Sequence, residues 1–147
     1  MHSLVKHIVI ADDDDDDVDL FRTAVEEICL QLTLTVASDG VKLISLLDSI
    51  AKPDAIFLDL NMPRKSGKEC LVEIRTKDEF NDVPIIMFST SNQTNDIDFC
   101  LKNGANHYLV KPETYEGLTG IVENLCNGYF LNPIHTKGSI KNNHIPR

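Results

Sequence analysis

Several features are missing from this chain, and each absence removes a class of function. No apolar stretch approaches the roughly 20 residues that a bilayer span requires, and the N-terminus has no signal-like apolar block with a cleavage site. A soluble, cytoplasmic protein away from the membrane is the expectation. Lys and Arg are not in excess: the formal charge is −9, whereas grip on a nucleic-acid backbone needs clustered basic residues that displace counterions. Direct nucleic-acid binding is therefore not expected. The four cysteines, Cys29, Cys70, Cys100 and Cys126, form no CxxC pair and lack the dense spacing of a disulfide scaffold. They read as reduced thiols packed on helices. No internal repeat is present beyond the alternation described below. No acid follows Glu123.

What is present suits one domain. At 147 residues with 42% hydrophobic content, the chain has ample apolar material for a single domain, and a second would not fit. Five short apolar runs alternate with segments of helical spacing, the βα signature of a parallel sheet. The strands read as Lys6 to Ala11, Thr33 to Ala37, Ala55 to Asp59, Pro84 to Ser89 and Asn106 to Val110. The third and fourth are almost continuously apolar, as in a sheet covered on both faces. Apolar steps of three and four predict the intervening helices: Val18, Phe21, Val25 and Ile28, then Val41, Ile44 and Leu47. Leu71 with Ile74, Ile97 with Leu101, and Leu118, Ile121 and Leu125 continue the pattern. Gly40 and Gly104 supply a turn and a helix stop. Residues 1–127 are expected to form the domain and 128–147 a flexible tail, with a basic docking arm as the alternative reading.

The chemistry concentrates at strand ends. Asp12 to Asp17 is an unbroken run of aspartates directly after the first strand, and Asp59 closes the third. In an open parallel sheet, ligands sit beyond the carboxyl ends of the strands. Those ends here supply Asp12, Asp13, Asp59, Ser89, Thr90 and Lys111. Two carboxylates about 4 Å apart repel by about 4 kcal/mol at an effective dielectric near 20, so such a group needs a cation. A divalent ion and Lys111 would balance it, an arrangement suited to phosphoryl transfer onto a carboxylate. Asp14 to Asp17 read instead as a solvated helix start favoured by the macrodipole. Tyr108 reads either as a switching ring or as a static residue with its hydroxyl in water. His107 reads as a surface residue rather than a ligand.

Five separated segments then carry a family likeness: Ile8-Val9-Ile10-Ala11-Asp12-Asp13, Phe57-Leu58-Asp59-Leu60-Asn61-Met62-Pro63, Gly67, Ile86-Met87-Phe88-Ser89-Thr90, and Tyr108-Leu109-Val110-Lys111-Pro112. In this order they resemble the receiver domains of two-component response regulators, over about Lys6 to Asn127. The acid run and Ser89-Thr90-Ser91 look like receivers found beside bacterial phytochromes and hybrid histidine kinases. Six consecutive acids depart from the two or three usual there.

The resemblance implies a doubly wound, flavodoxin-like α/β fold: a five-stranded parallel sheet of order 2-1-3-4-5 with helices on both faces. It implies Asp59 as phosphoacceptor, and Asp13, Asp59 and the Asn61 carbonyl as Mg²⁺ ligands, with Asp12 acting through water. Lys111 becomes the phosphate-binding lysine, with a cis bond to Pro112. Ser89 and Tyr108 become the switch pair that alters the face of the fourth helix, fifth strand and fifth helix. The expected partners are a histidine kinase or phosphotransfer protein, and a second copy in a homodimer. The expected activity is limited to the chain's own phosphorylation and dephosphorylation, with output through protein contact. Two other readings stay open: an aspartyl-phosphate phosphatase of the haloacid-dehalogenase type, and a receiver fold that binds partners without phosphate. Asn61 and Ser91 fall at positions where small polar groups would let water reach the acyl phosphate.

Overall fold

Nearly continuous apolar runs suit strands buried on both faces, and a computed structural model describing residues 5–131 shows the result. Strands β1 (His7–Ala11), β2 (Thr33–Ala37), β3 (Ala55–Leu58), β4 (Ile85–Ser89) and β5 (His107–Val110) form one parallel sheet in the order β2-β1-β3-β4-β5. Each strand lies within one residue of its expected bounds. Helices α1 (Asp15–Ile28), α2 (Gly40–Leu47), α3 (Gly67–Arg75), α4 (Thr94–Lys102) and α5 (Tyr115–Cys126) connect and follow them.

Alternation along the strands sends side chains to two separate cores. Val9, Ile56, Leu58, Ile85 and Met87 pack with α2, α3 and α4. Ile8, Ile10, Phe57, Ile86 and Phe88 pack with α1 and α5, where Phe21, Phe57 and Phe88 meet edge to face. Burying β1, β3 and β4 on both faces explains their unbroken apolar character.

Local signals set the helix starts. Asp14 caps α1, accepting from the Asp17 amide at 3.1 Å, and Ser66 with Glu69 forms a capping box on α3. Gly104 ends α4 at φ +108°, a left-handed conformation that glycine adopts without a Cβ penalty.

Four expectations need correction. On α2 the buried residues are Leu43 and Leu47, while Val41 is exposed; two apolar stripes compete there, and close packing of Gly40 on the Lys65 carbonyl sets the rotation. A Cβ on Gly40 would lie 2.0 Å from that oxygen. His107 is fully buried against Phe130, because a short 3₁₀ turn at Tyr129–Leu131 folds under β5. Cys29 and Cys126 are joined in a disulfide, since packing of α1 on α5 brings residues 97 apart in sequence to a Cα separation of 5.7 Å. Cys70 and Cys100 are buried free thiols, as expected. The Lys111–Pro112 bond is trans, there being no cis peptide among the described residues; trans is the more stable form of most X–Pro bonds. No helix among the described residues is long and apolar enough to cross a membrane. Residues 132–147, most of the expected tail, lie outside the described residues.

Candidate functional site

Sheet ladders deliver the site residues to one end of the molecule. The Asp12 amide donates to the Ala37 carbonyl, the Asp59 amide to Ala11 and the Lys111 amide to Ser89, each at 2.8–3.0 Å. These bonds extend the sheet by one residue and leave Asp12 and Asp59 at the adjacent carboxyl ends of β1 and β3, where the strand order reverses, with Lys111 reaching in from the end of β5. The β3–α3 loop closes tightly, with the Gly67 amide donating to Leu60 at 2.7 Å. A Cβ on Gly67 would meet the Asp59 carbonyl at 1.9 Å, so only glycine fits beside the acid.

Oxygens of Asp12, Asp13 and Asp59 lie within 4.8 Å of one another. Asp12 and Asp59 are buried and Asp13 is exposed. The Asp59 Oδ1 accepts from the Leu60 amide at 2.7 Å, and the Asp12 Oδ1 from the Asp14 amide at 3.0 Å. Lys111 Nζ then reaches Asp12 at 2.8 Å, Asp17 at 2.7 Å and Asp59 at 3.3 Å. Burial pushes the Asp12 carboxyl up to about 6, outweighing the lowering by Lys111 and by the Asp14 amide, with the nearby Asp59 adding to the rise. Burial opposes the charge of Lys111, yet its carboxylate partners hold its pKa well above the ordinary value. A hard, oxygen-seeking divalent cation fits this set: three convergent carboxylates with more negative charge than one lysine offsets.

Around this centre Ser89 is fully buried, its Oγ accepting from the Ser91 amide at 3.3 Å. Tyr108 is also fully buried, and its hydroxyl donates to the Ser91 carbonyl at 2.8 Å. Burial pushes this phenol up to about 12. Of the two readings of Tyr108, the ring is inside and its hydroxyl is held by protein. Ser91 Oγ donates to Asp96 at 2.5 Å, and Asp96 pairs with Lys68 of α3 at 2.7 Å. The Asn61 side chain is exposed.

Asp12 and Asp59 thus gather on Lys111 with Asp13 beside them, and Ser89 and Tyr108 meet through Ser91. Sequence reasoning missed the Asp17 contact, having assigned Asp14 to Asp17 to solvent. The signal was available: Asp17 precedes the buried Phe21 and Val25 by four and eight residues, on the same helical stripe.

A doubly wound 2-1-3-4-5 sheet with acids and a lysine at its switch point defines a flavodoxin-like α/β protein. The model of the response regulator receiver domain matches residues 8–123, and the chain belongs to that family. It is 25% identical to the response regulator Rcp1 of Synechocystis over 126 residues, covering 82% of this chain and 86% of Rcp1. To the nitrate/nitrite response regulator NarL of Escherichia coli it is 40% identical over 107 residues, 70% of this chain but 48% of NarL. The phosphorylated cyanobacterial phytochrome response regulator RcpA has a similar structure, with a TM-score of 0.79 and 27% identity over 87% of this chain and 95% of RcpA. Receiver domains accept phosphoryl groups, bind a divalent metal, and interact with histidine kinases or phosphotransfer proteins.

Proposed function

We propose that the protein accepts a phosphoryl group on Asp59 from a histidine kinase or phosphotransfer histidine and changes its protein contacts in response. The convergence of Asp12, Asp13, Asp59 and Lys111 on one spot carries this reading. An Asp59 carboxylate oxygen attacks phosphorus. As the O–P bond forms, the donor P–N bond breaks, and its electron pair stays on the imidazole nitrogen. Lys111 donates to a phosphoryl oxygen, which lowers the charge that a second anionic group would otherwise build up beside Asp12. Mg²⁺, held by Asp13, Asp59 and the Asn61 carbonyl with Asp12 supporting, would neutralise phosphoryl charge.

Ser89 is the coupling residue. Its Oγ now accepts from Ser91, and turning its hydroxyl toward a phosphoryl oxygen breaks that bond. Ser91 also holds the Tyr108 hydroxyl and Asp96. A shift at Ser91 therefore loosens Tyr108 and α4 together, altering the α4–β5–α5 face for a partner or a second copy. Output through protein contact also suits the net charge of −9, which disfavours direct nucleic-acid binding.

The test is intact mass after incubation with Mg²⁺ and acetyl phosphate, beside Asp59→Ala and a metal-free control. One added phosphoryl group that needs both Asp59 and Mg²⁺ is the expected result. No gain, together with failure to bind beryllofluoride, would favour a receiver fold that binds partners without phosphate.

A further inference from the structure

A lysine ammonium has three N–H donors, and all three of Lys111 face carboxylates. Asp12 and Asp59 belong to the convergent acid set; Asp17 does not, yet its contact, at 2.7 Å, is the shortest of the three. It arises from helix geometry. Asp17 is half-buried on the stripe that carries Phe21 and Val25 into the core, while Asp14, Asp15 and Asp16 are exposed. The three partners also differ in freedom. The side chains of Asp12 and Asp59 are 1% and 9% exposed, whereas that of Asp17 is 35% exposed and can turn into water.

We propose that Asp17 is a positioning residue that competes with the phosphoryl group for Lys111, so that one member of the acid run acts as a brake on phosphoryl retention. The inference rests on Asp59 being the phosphoacceptor. A phosphoryl group on Asp59 needs a donor from Lys111 at full strength. With Asp17 in place, that lysine is drawn toward the start of α1 and its charge is partly offset before the phosphoryl group arrives. The bound state must share the ammonium or release Asp17 to solvent, and either course weakens the hold on phosphate. Asp13, exposed and outside the reach of Lys111 in this arrangement, has no such effect.

The experiment is a beryllofluoride titration at saturating Mg²⁺ on the full chain, followed by amide shifts of Ser89, Ser91 and Tyr108. Wild type is compared with Asp17→Asn, Asp17→Ala and Asp16→Asn, and thermal unfolding checks that each variant is folded. Asp16 is exposed in the same helical turn, so Asp16→Asn makes the same change in net charge without touching Lys111. Removing a partly exposed competitor ion pair should tighten binding about five-fold in both Asp17 variants, and lengthen the acyl phosphate lifetime in the same direction. Asp16→Asn should match wild type. Unchanged or weaker binding in both Asp17 variants, or an equal gain in Asp16→Asn, overturns the proposal while wild-type binding leaves the receiver reading intact. If wild type neither binds beryllofluoride nor gains mass, the receiver reading fails and the inference falls with it.

Discussion

Lys111 and Arg75 sit at opposite ends of the same sheet and are held in opposite ways. At the carboxyl end, Lys111 faces three carboxylates, one of which, Asp12, is destabilised by its own burial. At the amino end, the Arg75 guanidinium donates to the carbonyls of Gly104, Phe80 and Val83 and to Asn106 Oδ1, each at 2.8–2.9 Å. Asn106 Oδ1 also accepts from the Ile85 amide. Burial lowers the Arg75 pKa, and four neutral oxygens satisfy the planar fork. Neutral dipoles cost little to gather, so the amino end is a fixed brace joining α3, α4, β4 and the approach to β5. Crowded charges are costly to gather, so the carboxyl end is poised to exchange partners. The disulfide at the ends of α1 and α5 strengthens the contrast, since it lies at the braced end.

Breaking the brace should have the largest effect on stability. Arg75→Ala leaves several carbonyls without donors and is expected to cost about 3 kcal/mol in urea unfolding. Phosphorylation of the folded fraction by acetyl phosphate should be unchanged. A cost under about 1 kcal/mol would end the distinction between the two ends.

Reducing the Cys29–Cys126 bond comes next, at about 2–3 kcal/mol, within the usual range for a disulfide. Differential scanning calorimetry with and without dithiothreitol measures it. Cys126→Ser should remove the reductant sensitivity.

The smallest effect sharpens the comparison from the other end. Asp12 ionises at about 6 when folded, against 3.8 for the ordinary group. Between those values the folded protein retains a proton that the unfolded chain releases, so metal-free stability should fall as pH rises from about 4 to about 6 and then level off. Asp12→Asn should flatten that slope and stabilise the metal-free protein by about 1–2 kcal/mol at pH 7, with no gain below about pH 4. Denaturant titrations across this range decide the matter. A slope of opposite sign would mean that Lys111 outweighs burial.

The strands and the acids at their ends were legible because both are local signals. Apolar runs of four to six residues end where a carboxylate or lysine begins, so Asp12, Asp13, Asp59 and Lys111 could be assigned before any contact was known. Gly67 and the Ser89–Tyr108 pair were legible through family resemblance. Other features depended on distance across the chain. Nothing local pairs Cys29 with Cys126, or buries His107 beneath Phe130. On α2 two apolar stripes compete, and only the Lys65 carbonyl against Gly40 decides between them.

By itself, then, the sequence determined the sheet, its order of elements and the crowding of acids at one end, because strand period and strand termini are written in consecutive residues. Only the tertiary structure decided which oxygens share Lys111, which sulfurs join and what Arg75 holds. Those contacts depend on the rotation and crossing of helices, and the Lys111–Asp17 contact spans 94 residues of sequence.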